Sequence, residues 1–136
     1  MHELTEEALV AASVDVVWSD FTDASDLAEW YWPPRLEATT AVDPGLQGGW
    51  EVRSDVAGIA VVARVVSAQA PLDLHLAWRW DDDEHSTDVQ ITLAPVADDA
   101  TRVIVRHSGF ATAQERELHV EGWSHCLLRL TERHAE

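Results

Sequence analysis

The sequence predicts an α+β fold in which a curved antiparallel β-sheet of six or seven strands wraps around a long C-terminal helix. Three observations indicate this. The last two dozen residues, Thr112 to Glu136, have helical periodicity. Before them, about six successive segments alternate apolar and polar residues, and short turns between such segments make neighbouring strands pair antiparallel. Two short helical patterns follow the first predicted strand.

The C-terminal helix has a clear start and one apolar side. Thr112 and Glu115 have the spacing of a capping box, in which Glu115 reaches back to the N–H of Thr112 itself. The apolar positions recur at spacings of four, three and four residues and so share a stripe, formed by Trp123, Leu127, Leu130 and His134. Cys126 and His119 lie on its margins. A helix of this length is roughly 30 Å long, enough to cross the concave side of a small sheet.

The N-terminal third combines one strand with two short helices. Leu4 to Ala12 alternates weakly and predicts the first strand. Ser13 is a good N-cap for a helix that continues to about Phe21, and Asp23 caps a second helix from Ala24 to about Trp30. The aromatic segment that follows, 30–34, must leave helical geometry, because a residue before proline is pushed toward extended conformations.

The middle of the chain is a succession of strands. The clearest is 72–80, in which Leu72, Leu74, Leu76, Trp78 and Trp80 alternate strictly with more polar residues. The other predicted strands are Leu36 to Val42, the segment opened by Gly48-Gly49, Gly58 to Ala68, Thr87 to Leu93, and Thr101 to His107, which Gly109 is expected to break.

Composition and charge narrow the classes of partner. The 136 residues predict a single domain over 1–136, and 25 acidic against 9 basic residues give a net charge of −16. Such a field repels polyanions, so nucleic acid and anionic membrane surfaces are not expected as partners. We expect a cytoplasmic protein without membrane insertion, because the chain shows no signal peptide, no membrane-length apolar run and a single cysteine.

Several short signatures occur in a fixed order along almost the whole chain. They are 13–18 at the first helix, Asp26-Leu27 with Trp30, Gly48-Gly49, Pro71 with Leu74 and Trp78, 101–110, and Gly122-Trp123 with Leu127 and Leu130. Together they resemble the helix-grip superfamily, which includes the birch-pollen allergen, START lipid-transfer domains and bacterial polyketide cyclases. Within it, the chain resembles the family named for homology to the activator of heat-shock protein 90 ATPase.

The resemblance implies a hydrophobic cavity between the sheet and the long helix, with the short helices and adjoining loops at its mouth. It implies no reaction, because one scaffold serves binders, transporters, cyclases and chaperone partners. The sequence departs from the family pattern at Ala63, where glycine is usual. Glu51 stands where an apolar residue is common, which leaves open whether Trp50 or Glu51 faces inward.

Aromatic residues from different elements are the main candidates for a binding site. A dry aromatic pocket with a few polar groups suits a planar or hydrophobic small molecule. The candidate ligand-binding residues are Trp30, Trp32, Trp50, Trp78, His107, Phe110, Trp123, Cys126 and Leu127. A packed aromatic core explains the same residues equally well, since indoles supply large apolar area.

His107 is the one candidate for catalysis, because alternation with Val103 and Val105 places it on the inward side of its strand. A structural histidine bonded to the backbone is the simpler interpretation. No pair of histidines has helical metal-binding spacing, so no metal site is expected. The chain contains no nucleotide or phosphate signature, and no cofactor is expected.

Three functional hypotheses follow. The first is a non-enzymatic or weakly catalytic module that binds a small hydrophobic, aromatic or acyl molecule between sheet and helix. The second is a cyclase or aromatase in which His107 moves a proton within the same cavity. The third is a protein that interacts with a chaperone, as the family name implies, and it requires an exposed patch for the partner.

Overall fold

The predicted architecture is confirmed by the computed structural model, which describes residues 2–135. A seven-stranded antiparallel sheet, in the order β1-β7-β6-β5-β4-β3-β2, is combined with three helices. In chain order the elements are β1 (His2–Val10), α1 (Val14–Thr22), α2 (Ala24–Ala28), β2 (Thr39–Val42), β3 (Gly49–Ser54), β4 (Ile59–Gln69), β5 (Asp73–Trp80), β6 (Thr87–Ala97), β7 (Ala100–Phe110) and α3 (Ala113–Arg133). A single 3-10 turn, Pro34–Leu36, precedes β2.

Helix α3 buries the stripe that the sequence predicts. Trp123, Leu127 and Leu130 are at most 3% exposed, and the helix packs mainly against β1 and the adjacent β7. The Thr112 hydroxyl accepts from the Glu115 N–H at 3.1 Å, as expected for an N-cap. The Glu115 carboxylate, however, accepts from the N–H of Ala111 rather than that of Thr112.

Helix α3 ends at Arg133, and the last residue of its predicted range, Glu136, lies outside the described residues. Within residues 2–135, no helix combines the length and the apolar composition that crossing a bilayer requires.

The two short helices begin where the sequence predicts, but the second is shorter. Ser13 and Asp23 cap α1 and α2 through their side chains. Helix α2 ends at Ala28 instead of near Trp30, and the Trp30 indole donates to the backbone carbonyl of Asp20 at 3.0 Å. The tertiary contact therefore outweighs the helical preference of this segment.

Several predicted strand limits are wrong. β1 spans His2–Val10 rather than Leu4 to Ala12, and β6 continues past Leu93 to Ala97. Residues 34–36 form the 3-10 turn, so β2 begins at Thr39 instead of Leu36, with Pro34 at a position where its missing N–H costs nothing. Gly109 does not break β7, which continues to Phe110. The β1–β7 pairing extends to His2 and Phe110 through a β-bulge that skips Gly109, whose φ of 95° is a conformation that glycine adopts without strain.

In β3, Trp50 and not Glu51 faces inward, a choice that the sequence left open. Its side chain is fully buried, and its indole donates to the carbonyl of Phe21 at 2.8 Å. Glu51 lies on the other face of the sheet, where its carboxylate pairs with Arg53 at 3.1 Å. One face of β3 therefore contributes to the core, and the other faces solvent.

Candidate ligand-binding cleft

A cleft of about 380 Å³ lies beside α3, between this helix and the segment 31–36, with β5 contributing two tryptophans to its wall. Its lining is Tyr31, Trp32, Pro33, Arg35, Leu36, Trp78, Trp80, Leu118, His119, Gly122, Trp123, His125, Cys126 and Arg129. Leu118, Gly122 and His125 are exposed, whereas Trp78 and Trp123 are buried. The cleft therefore opens to solvent on one side and ends on indole rings at the other.

Aromatic contacts hold the walls of the cleft. The rings of Trp32 and Trp80 lie nearly parallel, with an interplanar angle of 9° and centroids 6.3 Å apart. Trp78 meets Trp80 edge to face at 5.2 Å, and Tyr31 meets Trp123 in the same way at 5.8 Å. These offset and T-shaped geometries are favoured by the ring quadrupoles, so the aromatic surface is ordered before any ligand binds.

Side chains of α3 fix the segment that forms the opposite wall. The Arg129 guanidinium donates to the Trp30 carbonyl at 3.0 Å and to the Tyr31 carbonyl at 2.7 Å. The Cys126 thiol also donates to the Tyr31 carbonyl, at 3.0 Å. Backbone carbonyls that the end of α2 leaves without helical partners are satisfied in this way.

His119 connects the helix to the tryptophan wall. Its Nε2 accepts from the Trp80 indole at 3.1 Å, and its Nδ1 lies 2.7 Å from the Glu115 carbonyl. Because the indole can only donate, Nε2 is unprotonated and Nδ1 carries the hydrogen that Glu115 accepts. The bond fixes the orientation of Trp80.

His107 is enclosed in a chain of hydrogen bonds. Its Nδ1 accepts from the Trp123 indole at 3.0 Å, and its Nε2 lies 2.6 Å from the Thr87 hydroxyl. The Thr87 hydroxyl in turn donates to the Trp78 carbonyl at 3.1 Å. This direction of donation places the hydrogen of His107 on Nε2, and both ring nitrogens are occupied.

The environment of His107 keeps it neutral. Its side chain is fully buried, and burial lowers its pKa to about 3, with a further contribution from the nearby His119. A general base must reach its substrate with a free nitrogen and a pKa near the working pH. His107 meets neither condition in this arrangement, which instead positions Trp123 and Trp78.

Two further groups of the cleft wall, Cys126 and Tyr31, are held in their neutral forms. Burial raises the pKa of the Cys126 thiol to about 11, despite the neighbouring Arg129. Burial also raises the pKa of Tyr31 well above its usual value, and the Cys126 group adds to this effect. Both side chains therefore remain hydrogen-bond donors at neutral pH.

The structure brings together only part of the predicted set of binding residues. Trp32, Trp78, Trp123 and Cys126 line the cleft. The residues Trp30, Trp50, Leu127 and His107 are buried in the core and do not line it, and Phe110 lines a smaller neighbouring space of about 100 Å³. The predicted cavity is thus displaced to the flank of α3, because indoles and their backbone partners fill the interior beneath it.

Sequence reasoning missed several lining residues, above all Tyr31, Trp80, His119 and Arg129. Two signals point to them. Trp80 shares the alternation of Trp78 in β5, and the positions 119, 122, 126 and 129 have the three- and four-residue spacing of one helix face. Among residues 2–135, no group of three histidine, cysteine or acidic side chains gathers closely enough to hold a metal ion.

A curved antiparallel sheet closed over a long C-terminal helix, with a cleft at the helix flank, defines the helix-grip class of proteins. The chain belongs, within that class, to the family described as activator of Hsp90 ATPase homolog 1-like protein, whose profile matches residues 11–135. A search of curated proteins gave no significant match.

Solved structures share this fold at low sequence identity. Protein CV1439 from Chromobacterium violaceum has a TM-score of 0.82 and 21% identity, over 97% of this chain and 96% of that one. CalU16 from Micromonospora echinospora has a TM-score of 0.75 and 19% identity, over 95% and 71%. PFC0360w, an HSP90 activator from Plasmodium falciparum, has a TM-score of 0.74 and 17% identity, over 94% and 91%.

Proposed function

We propose that this protein binds one small hydrophobic molecule with an aromatic ring in the cleft beside α3. The observation that carries the proposal is the cleft itself, whose volume of about 380 Å³ falls within the size range of small-molecule sites. Its wall combines ordered indole faces with a few polar groups. A planar ring gains apolar burial and quadrupole contacts there at little cost in protein reorganisation.

The alternative functions depend on other features. A cyclase or aromatase would need a proton-moving group other than His107, because both nitrogens of His107 are already bonded. A chaperone partner is the competing hypothesis, since PFC0360w is described as an HSP90 activator and shares the fold. Such a partner would bind an outer surface of the protein. A variant with a blocked cleft therefore distinguishes small-molecule binding from chaperone binding.

Gly122 offers a direct way to block the cleft. It lies on the exposed lining of α3, and a Cβ at this position would meet nothing within 4 Å. Gly122→Leu therefore adds a side chain that occupies the cleft without disturbing the packing of the helix. Ser124→Leu is the matched control, because Ser124 is exposed on the same helix and does not line the cleft.

The test uses N-phenyl-1-naphthylamine, a neutral probe that becomes fluorescent in apolar surroundings. We expect saturable fluorescence with the wild-type protein and the Ser124→Leu variant, and a loss of at least about tenfold in affinity for Gly122→Leu, because its side chain fills the ring site. Equal binding by all three proteins, or none by the wild type with this or other aromatic probes, would refute the proposal.

A further inference from the structure

We propose that the ligand of this cleft is an aromatic carboxylate, with its ring against Trp32 and Trp80 and its carboxylate on Arg129. This inference rests on the proposed binding function and adds the chemical class of the ligand. It depends on the charge of the lining, on the unused donors of Arg129, and on the position of this arginine relative to the tryptophans.

The cleft has the opposite charge to the rest of the molecule. The chain has 25 acidic and 9 basic residues, yet no aspartate or glutamate lines the cleft. Arg35 and Arg129 are its charged residues, and two histidines accompany them. In a strongly acidic protein, a lining with cations and without carboxylates is a local site for an anion.

Arg129 is held in place without being neutralised. Its Nε and Nη2 donate to the main-chain carbonyls of Trp30 and Tyr31. Within residues 2–135 its Nη1 donates to no group, and neither Arg129 nor Arg35 makes an ion pair. A half-buried guanidinium that is fixed by carbonyls and lacks a counter-charge is preorganised for an incoming carboxylate.

Further donors lie in the same wall. The buried Trp78 indole N–H has no partner of hydrogen-bonding geometry among the described residues, although it lies beside the Tyr31 hydroxyl. An unpaired buried donor costs free energy, and when the Tyr31 hydroxyl donates to an acceptor on the ligand, its oxygen can accept from the Trp78 indole. The wall thus offers donors in excess of acceptors, as a carboxylate requires.

The dimensions fit a molecule with a ring at one end and an anion at the other. Trp80 is bonded to His119, and Arg129 lies ten residues further along α3. At 1.5 Å per residue these positions are roughly 15 Å apart along the helix axis. An elongated ring system with a terminal carboxylate, such as biphenyl-4-carboxylate, has a length of this order.

The experiment compares biphenyl-4-carboxylate with the neutral biphenyl-4-carboxamide, which has nearly the same shape. Binding is followed at neutral pH by the indole N–H signals of the 15N-labelled protein, which also report whether each variant remains folded. We expect the carboxylate to bind at least about tenfold more tightly than the carboxamide, and this preference to weaken at high salt, because a charge-assisted hydrogen bond supplies it.

Three variants test which residue causes the preference for the carboxylate over the carboxamide. Arg129→Gln and Arg35→Gln each remove one cation of the cleft. Arg64→Gln is the matched control, since Arg64 is exposed on the sheet and outside the cleft. The preference should fall strongly in Arg129→Gln, partly in Arg35→Gln, and not at all in Arg64→Gln.

The outcomes separate this inference from the proposed function. If the wild-type protein binds both compounds with equal affinity, the proposal that the ligand is a carboxylate is overturned, whereas the proposed aromatic binding site is not. If the preference for the carboxylate persists in both Arg129→Gln and Arg35→Gln, or if Arg64→Gln also abolishes it, the preference is due to the overall charge of the protein. Either result would overturn the role of Arg129. Binding of neither compound, with no response to N-phenyl-1-naphthylamine, would overturn the binding function itself.

Discussion

At the scale of single residues, His107 shows how one side chain orders its surroundings. Its imidazole accepts a hydrogen bond from the Trp123 indole and donates one to the Thr87 hydroxyl, which in turn donates to the Trp78 carbonyl. Each group has one possible direction of donation, because the indole has no acceptor. A protonated imidazole would place an N–H against the Trp123 N–H, so the network is stable only with neutral histidine.

We therefore predict that His107 makes the protein sensitive to acid. Its pKa is about 3 when folded, against 6.5 when unfolded, so the unfolded state takes up the proton first and stability falls as the pH drops below 6.5. The loss attributable to His107 is about 2 kcal/mol between pH 6.5 and about 4.5. Urea unfolding at both pH values measures it.

The matched variants for this measurement are His107→Gln and His125→Gln. Glutamine does not titrate, so His107→Gln should be less stable at neutral pH but should lose about 2 kcal/mol less on acidification than the wild type. His125→Gln removes an exposed histidine outside this hydrogen-bond network and controls for the loss of one imidazole. If the two variants respond alike to acid, the neutral His107 network is not the cause.

At the scale of elements, α3 combines a tightly packed side with an open one. The stripe that contains Leu127 and Leu130 is buried against the sheet, whereas Gly122 leaves a gap in the side that faces the cleft. Glycine inside a helix costs about 1 kcal/mol relative to alanine, because the unfolded chain has more freedom to lose. Gly122, which leaves this gap in the cleft wall, is therefore unfavourable for the stability of the helix itself.

Gly122→Ala should stabilise the protein by about 0.5–1 kcal/mol, since the new methyl group meets no atom and the helix propensity improves. The control is Gly48→Ala, at a buried turn position where a Cβ would lie 2.1 Å from the Asp43 carbonyl oxygen. That clash should cost about 1–3 kcal/mol. Urea unfolding midpoints measure both effects. If the midpoint shifts in the same direction in both variants, the explanation by free space at Gly122 and a clash at Gly48 is contradicted.

At the scale of the whole molecule, one charged cluster connects the end of α3 to the short helices. Arg133 donates to Asp20 at 3.0 Å and to Asp26 at 3.1 Å, and His134 lies 2.7 Å from the second oxygen of Asp20. Asp20 is 1% exposed. Burial raises its pKa, and His134 and Arg133 oppose this effect. The cluster anchors the helix pair that borders the segment 31–36.

Arg133→Gln should destabilise the protein by about 2 kcal/mol at pH 7, because it leaves a buried carboxylate with one cationic partner fewer. The pKa of Asp20 then rises further, so Asp20 binds a proton as the pH falls and the difference from the wild type shrinks toward pH 4. Arg116→Gln, which removes an exposed pair with Glu117, should change stability by less than about 0.5 kcal/mol. A pH-independent loss in Arg133→Gln would contradict the burial of a charged Asp20.

The fold was predictable because its signals are periodic and local. The alternation in β5 and the stripe of α3 each repeat several times, so a single unusual residue does not hide them. The site was predictable only in part. Trp30 was placed with the binding residues from the second short helix, and Trp50 although the register of its strand was open. Neither helical nor strand periodicity can tell a ring that lines a space from one that fills it.

The sequence by itself determined the α+β class, the caps at Ser13, Asp23 and Thr112, and the inward sides of the strands other than β3, because these follow from backbone geometry and the burial of apolar area. The tertiary structure decided that β7 continues through Gly109, that α2 ends early, and that the cleft lies at the flank of α3. Those outcomes depend on bonds between residues distant in sequence, such as Trp123 with His107 and Arg129 with Tyr31. Their free energies exceed local preferences, and no local pattern encodes them.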